Sequence, residues 1–378
     1  MQDEITQAVL SREEVARYLR GGAGETGPQA RERIHAYLDE LRTTQRYPIY
    51  RALKHPLYPI LRKVERLSEG ADYVHGATDR GRVVYISNHK SHLDYLVEPL
   101  VLEDNKIRPP VIAAGINLFG GPLGMLHRHV TGAIPIRRNT KDPAYLVTLK
   151  AYVAELLRRH DLFFYIEGGR SYTGELKTPK TGLVHACLGA EIQNLSIIPT
   201  AVAYDLVLED RIISRQGTKR SQRPFSREVA EMIGSAVGYR TRSFTCFGAP
   251  ISAAGVDHHS RRDVLEFAKM VRERIGLLHK VLPTAIVASA MRPSATRREL
   301  ESRVQERLDV LAARGANLGA VPNARQAVEQ GVEQLILRSA IVPESHRYRV
   351  RDRTLLRYYG RSLDHLLTPA TKSGARPH

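Results

Sequence analysis

The sequence predicts an α/β protein: a largely buried mixed sheet covered by helices, with helical additions at both ends. Three observations carry this. Short, continuously apolar runs of strand length recur from Val83 to Asp205. Between two of them Leu146, Leu149, Val153 and Leu156 keep helical spacing. Outside that region, before about Gly81 and after about Val264, the apolar positions are mostly helical in spacing. Strands apolar on both faces, alternating with helices, belong to a buried sheet with helices laid over it.

Taken in order, residues 1–20 read as one helix, which "GGAGETGP" (21–28) breaks. Ile34, Leu38 and Leu41 mark the next helix, and helices are expected to continue to about Ser68. The strand runs are "VVYIS", "PVIAAG", "GAIPI", "LFFYIE" and "SIIPTAVAYD", and Gly-Ala-Pro at 248–250 closes the region. Helical patterns return in "VLEFAKMVRERIGLL", "RRELESRVQERLDVLAAR" and "ARQAVEQGVEQLILRSA". A short alternating piece, "YRVRDRTLLRYY", precedes a last helix, and "TPATKSGARPH" reads as a disordered tail. The expected organisation is an N-terminal helical region (1–70), a catalytic domain (71–256) and a C-terminal helical region (257–378).

Composition narrows the function classes. The 378 residues carry 57 Lys plus Arg against 40 Asp plus Glu, a formal charge of +17, which favours a polyanionic partner. With 6% aromatics a stacking platform for nucleic acid is poor, and no nucleic-acid module is present, so no nucleic-acid partner is expected. Two cysteines, Cys187 and Cys246, exclude a disulfide scaffold and a four-cysteine zinc site. No metal is expected. The polar start has no apolar signal segment, and no apolar run reaches the roughly 18 residues of a spanning helix.

The candidate chemistry sits in "YISNHKSHLDYL". His89 lies at the end of an apolar strand, and Asp94 falls five residues later, one turn into the next helix. A histidine at such a strand end suits a general base, and an aspartate beside it can fix the imidazole tautomer. The spacing alone is weak, since His258 and Asp263 repeat it in a polar segment away from any strand. His92 is a rival base, too close to Asp94 to be oriented by it. An ordinary helix cap at Ser87 or Asn88, with His89 merely packing, is the competing reading.

Three other strand ends add to the picture. "GAIPIRRNTKD" supplies Arg137 and Arg138, of which alternation along a strand turns only one inward. "YIEGGRSYTGELKTPKTG" supplies Glu167, Gly168, Arg170 and Ser171, then Lys177 and Lys180. "IIPTAVAYD" carries Pro199 inside a strand. Glycines let backbone N–H groups approach an anion, and arginines and lysines supply its counter-charges. Together these describe a phosphate pocket beside a His–Asp pair.

In that order and spacing, "NHKSHLD", "GAIPIRR", "EGGRSYTG" and "IIPTAVAYD" resemble the four sequence blocks of the glycerolipid acyltransferases. "AAGINL", "TPKTG", "FGAPI" and "LLRYYGRSLDHLL" are similar to the branch of bacterial glycerol-3-phosphate and dihydroxyacetone-phosphate acyltransferases. The resemblance covers about Val83 to Ile251 firmly. It implies acyl transfer from acyl-CoA or acyl-carrier protein, as co-substrate and without a cofactor, to the sn-1 hydroxyl of glycerol 3-phosphate. The product is lysophosphatidate. His89 is then the base and Asp94 its partner. Arg137 or Arg138, with Glu167, Gly168, Arg170 and Ser171, is implied to bind the acceptor, with Lys177, Lys180 and Pro199 as further site residues.

Pro135 stands where the family usually has an aromatic, and Tyr172 where it often has a basic residue, so the pocket wall departs from the pattern. Dihydroxyacetone phosphate and lysophosphatidate are alternative acceptors, and a non-enzymatic basic lipid-binding protein is the reading of a different class. No Gly-x-Ser-x-Gly elbow supports a serine hydrolase. A lipid product implies a cytoplasmic enzyme, peripheral on the inner face of the cell membrane and drawn to anionic lipid. "INLFGGPLGMLHRHV" (116–130) and "RIISRQGTKRSQRPFSR" (211–227) are the expected contact segments.

Overall fold

The apolar runs of the sequence become the strands of one sheet. The protein is seen as a computed structural model, which describes residues 2–21, 27–44, 46, 48–49, 63–119, 132–216 and 240–368. It divides into two compact units. One comprises Met1–Arg170, Thr178–Val202 and Gln222–Ile275; the other comprises Ser171–Lys177, Ala203–Ser221 and Gly276–His378.

The first unit opens with α1 (Gln2–Ser11), α2 (Glu13–Gly21) and α3 (Gly27–Leu41). The single helix expected over 1–20 is thus two. Ser11 ends α1 with its hydroxyl on the Ala8 carbonyl (2.9 Å), a local bond that competes with helical continuation. Then follow β1 (Val64–Glu69), α4 (Ala71–Thr78), β2 (Val83–Ser87), α5 (Asp94–Asp104) and β3 (Val111–Gly115). After a 3-10 turn at Ile116–Phe119 come β4 (Ala133–Ile136), α6 (Pro143–Leu157), β5 (Leu162–Tyr165), α7 (Gly182–Leu188) and β6 (Ser196–Tyr204). α8 (Asp210–Gln216) belongs to the second unit, and β7 (Thr241–Phe247), β8 (Ile251–Ser252) and α9 (Arg261–Leu278) return to the first.

The strands lie in the order β1-β7-β6-β2-β5-β3-β4, with β8 added to β6. The pairs β1–β7, β2–β5, β2–β6, β3–β4 and β3–β5 are parallel, and β6–β8 is antiparallel. The expected mixed, mostly buried sheet is therefore present: every residue of β2 is buried, and so is all of β6 except Ser196. Because these strands run parallel, the C-terminal ends of β2, β3, β4, β5 and β6 share one edge of the sheet, where open α/β sheets place their ligands. β1 corrects the sequence reading, which has helix to about Ser68. "VERLSE" is a half-exposed edge strand with one neighbour, so it carries no apolar run to announce it.

The N-terminal helices are fixed to α6. Asp142, the N-cap of α6, accepts from Ala144 N (3.0 Å), from Arg33 (2.5 Å) and from the Tyr37 hydroxyl. Arg12 donates to Glu155 at 3.0 Å.

The second unit continues with α10 (Pro283–Ala290), β9 (Ser294–Thr296), α11 (Arg297–Ala313), α12 (Ala324–Leu337), β10 (Ile341–Glu344), β11 (Arg347–Val350), α13 (Arg353–Gly360) and α14 (Asp364–Leu367). The expected helices α9, α11 and α12 form, the last two behind a Thr296–Glu299 capping box and an Asn323 cap. The alternating "YRVR" is in β11, centre of a small antiparallel sheet β10-β11-β9 that interrupts the expected helical region. At this unit's centre Asp210 is fully buried. It receives Arg338 Nε (2.9 Å) and the Tyr359 hydroxyl (2.5 Å), which itself accepts from Val207 N (3.1 Å). The C-terminal tail from 369 lies outside the described residues.

Candidate active site

The turn from β2 into α5 is built by hydrogen bonds to two side chains. Asn88 clamps the end of β2 to β6: its amide donates to the Val202 carbonyl (3.0 Å) and its oxygen accepts from Val202 N (2.7 Å). Asp94, first residue of α5 and fully buried, gathers the turn around one oxygen. Oδ2 accepts from Lys90 N (2.6 Å), Ser91 N (2.9 Å) and His89 Nδ1 (2.8 Å). An anion is well placed at a helix N-terminus. From the adjoining strand end, Glu167 Oε1 accepts His89 N at 3.0 Å. The His–Asp pair expected from spacing is therefore real geometry, and the backbone on both sides of the imidazole is held.

An ionised carboxylate only accepts, so Nδ1 of His89 carries the hydrogen and Nε2 keeps its lone pair. Burial is the largest influence on this imidazole and pulls it down to about 4, against the upward pull of Asp94 and with Arg170 and His92 adding to the depression. The neutral ring is thus the form present near pH 7. Its face is covered by Tyr165, last residue of β5, with centroids 4.0 Å apart and planes inclined by 10°.

His89 and Arg138 line one cleft, together with Tyr165, Gly115, Gly168 and Gly169. Arg138 lies against two glycine faces. A Cβ on Gly115 would meet its Nη2 at 2.6 Å, and one on Gly169 its Nη1 at 3.4 Å. Gly168 makes the turn after β5 with φ +66°, in the left-handed region. A second cleft of about 440 Å³ shares Ile136, Arg138, Phe164, Tyr165, Gly168 and Leu183 with the first and extends past Leu146 and Leu149, with Arg137 and Lys180 also on its wall. That volume is in the usual range for small-molecule sites.

Just past the end of β4 the two arginines turn apart. Arg137 makes a two-pronged pair with Glu40 of α3 (2.7 and 2.5 Å) and lies over the rings of Tyr37 and Tyr145. It faces the N-terminal helices, whereas Arg138 faces His89's cleft. Glu167 and Arg170 are buried, and Glu167 holds the His89 backbone. Ser171 and Lys177 belong to the second unit. There Ser171 Oγ donates to the Glu175 carbonyl (2.6 Å), and Lys177 Nζ sits 5.3 Å from the centre of the Tyr172 ring. Pro199 lies within β6, opposite Ile86, and lines neither cleft. His92 is buried and lines the first cleft. His258 faces Glu191 Oε1 at 3.9 Å instead of Asp263.

Sequence reasoning missed Tyr165, Gly115 and Glu98. Gly115 and Tyr165 could have been found as the last residues of their strands, on the edge that carries His89. Glu98 could have been found as an acid inside the apolar pattern "DYLVEPLVL", one helical turn after Asp94. Among the described residues no three His, Cys, Asp or Glu side chains cluster to hold a metal ion.

Residues 65–203 match the family model "Acyltransferase". The chain is 30% identical over 315 residues to a glycerol-3-phosphate acyltransferase of Aeromonas hydrophila, covering 75% of this chain and 39% of that one. It is 38% identical over 193 residues to one from Histophilus somni, covering 48% of this chain and 23% of that one. The chain thus spans well under half the length of these curated relatives. A solved 1-acyl-sn-glycerophosphate acyltransferase from Thermotoga maritima is 14% identical over 72% of this chain and 85% of its own, with a TM-score of 0.34, a likeness too slight to argue from.

Proposed function

We propose that this chain, a member of the acyltransferase family through residues 65–203, transfers an acyl group from a thioester to the sn-1 hydroxyl of glycerol 3-phosphate. The observation that supports this reading most is one cleft holding both a neutral imidazole backed by Asp94 and a guanidinium on a glycine floor. The relatives' printed name supports the acceptor.

The chemistry needs few parts. Nε2 of His89 takes the proton of the acceptor hydroxyl as its oxygen attacks the thioester carbonyl. Asp94 holds the imidazolium so formed and keeps it in orientation. When the tetrahedral intermediate collapses, the C–S bond breaks and the imidazolium returns its proton to the departing thiolate. The ester, the free thiol and neutral His89 are the products. The step balances without a cofactor. Arg138 is the residue we assign to the acceptor phosphate, with Arg170 as a further counter-charge; a charge-assisted hydrogen bond there contributes roughly 1.5–3 kcal/mol. Glu167 acts through the His89 backbone. The larger cleft, apolar at Leu146, Leu149 and Leu183, is the place for the thioester's acyl arm. Acyl-CoA and acyl-carrier protein are the two donors of that chemistry.

No helix among the described residues is long and apolar enough to cross a membrane. With a surface-active donor and a lipid product, we place the enzyme peripherally on the inner, anionic face of the cell membrane. The two segments expected to touch lipid lie for the most part, at 120–130 and 217–227, outside the described residues.

The test is an acceptor panel. Thiol release from acyl-CoA is measured with glycerol 3-phosphate, dihydroxyacetone phosphate, lysophosphatidate or no acceptor, and the product is identified by mass. Release dependent on glycerol 3-phosphate, with lysophosphatidate formed, is expected. Release driven best by another acceptor would move the assignment to that substrate, and none with any acceptor and either donor would leave a binding protein.

A further inference from the structure

Beneath the His89–Asp94 pair lies an acid that the mechanism above does not use. Glu98 follows Asp94 by one turn of α5, on the same face, and is fully buried. Its Oε1 accepts the Ser87 hydroxyl at 2.6 Å. The Tyr165 hydroxyl lies near the same carboxyl without a hydrogen bond to it. Ser87 and Tyr165 are the last residues of β2 and β5 and lie opposite each other in the parallel pair. Ser87 is two residues before His89, and the Tyr165 ring covers the His89 ring. The carboxyl thus holds the strand end that places the base and lies near the one that carries its aromatic cover.

We propose that Glu98 is a positioning residue for the His89–Asp94 pair, holding the end of β2 through Ser87 one helical turn from Asp94. This rests on the reading of His89 as the base. The groups facing Glu98 are Asp94 from its own helix, Ser87 from β2 and Tyr165 from β5, and no cation pairs with it among the described residues. A second buried anion one turn from Asp94 would lack any counter-charge. Burial, with the Asp94 charge beside it, accordingly holds the Glu98 carboxyl well above the usual carboxylate range, and it stays protonated. As a neutral acid it accepts from Ser87 on one oxygen, and the other is buried without a hydrogen bond. The site then keeps a single negative charge under the imidazole, on Asp94. Two anions there would raise the His89 pKa and make its conjugate acid a poorer proton donor to the thiolate.

A neutral, shape-based role makes a sharp distinction between two substitutions. Glu98→Gln keeps the size, the acceptor and a donor, and has no charge to lose. Glu98→Ala removes the strut and opens a cavity for water behind the ring. We expect Glu98→Gln to keep kcat within about threefold of wild type, and Glu98→Ala to lower kcat at least about tenfold with the acceptor KM little changed, since the substrate contacts remain. The readout independent of turnover is the 15N-NMR titration of His89, assigned by its absence in His89→Ala. Glu98→Ala should move the midpoint up toward the ordinary histidine range, while Glu98→Gln leaves it in place. If Glu98→Ala does not fold, Ser87→Ala removes the hydroxyl that donates to Glu98 and should move the same titration upward. Glu98→Gln as damaging as Glu98→Ala would overturn the neutral role. A His89 titration and kcat untouched by Glu98→Ala, or by Ser87→Ala in its place, would overturn positioning altogether. If wild type transfers no acyl group to any acceptor, the functional reading falls by itself; the NMR comparison still decides whether Glu98 positions the pair.

Discussion

In the proposed reaction His89 works as a neutral ring, and its surroundings keep it so. Burial lowers its pKa to about 4, and Asp94, which pulls the other way, does not overcome this. A base is competent above its pKa and lost below it, so the sign is fixed: activity falls as pH drops through the folded value. We expect kcat to stay flat as the pH is lowered through 6.5, the ordinary histidine value, and to fall only as it nears about 4. A half-maximal point near 6.5 would mean that water reaches the imidazole during turnover. Because kcat reports the enzyme–substrate complex, the ionisation of the free acceptor phosphate does not confuse the profile.

At the scale of elements, the site is a consequence of parallel strands ending together. The chain leaving β4 shows how finely this sorts neighbours: Arg137 turns to Glu40 on the N-terminal helices and Arg138 to the cleft. Arg138→Ala should therefore raise the KM for the acceptor roughly 10- to 100-fold, the equivalent of one charge-assisted hydrogen bond. Arg137→Ala should chiefly loosen the N-terminal helices and change that KM much less. Equal KM effects, or an effect confined to the donor, would reassign the pocket. The five apolar runs were legible because strands buried on both faces cannot hide in sequence. β1 was not, being a polar edge strand, and neither was the β9–β11 sheet, whose strands are three or four residues long. His89, Asp94 and the strand-end arginines were legible as types at spacings. What sequence could not give was direction: that Glu167 holds a backbone N–H, that Tyr165 covers the base, or that Ser171 bonds to Glu175 within the other unit. Those depend on which strand ends become neighbours, and β5 lies between β2 and β3, out of chain order.

At the scale of the whole molecule, the +17 charge is the property that no single site uses up. If it serves to bring the enzyme to anionic lipid, binding to vesicles should require anionic headgroups and weaken with salt, because charges beyond roughly 8 Å are screened at physiological ionic strength. Co-sedimentation with neutral and anionic vesicles at low and high salt measures this; binding indifferent to both would point to apolar insertion instead. The charge, the clefts and the parallel sheet edge all gain their meaning from one claim, that His89 is the base in acylation of glycerol 3-phosphate. The most direct test is glycerol-3-phosphate-dependent thiol release from acyl-CoA by wild type, His89→Ala and His258→Ala, each verified as folded by circular dichroism. The account predicts that His89→Ala loses at least about 10²- to 10⁴-fold, the contribution of a general base, and that His258→Ala stays near wild type. Equal rates in the two variants would contradict it.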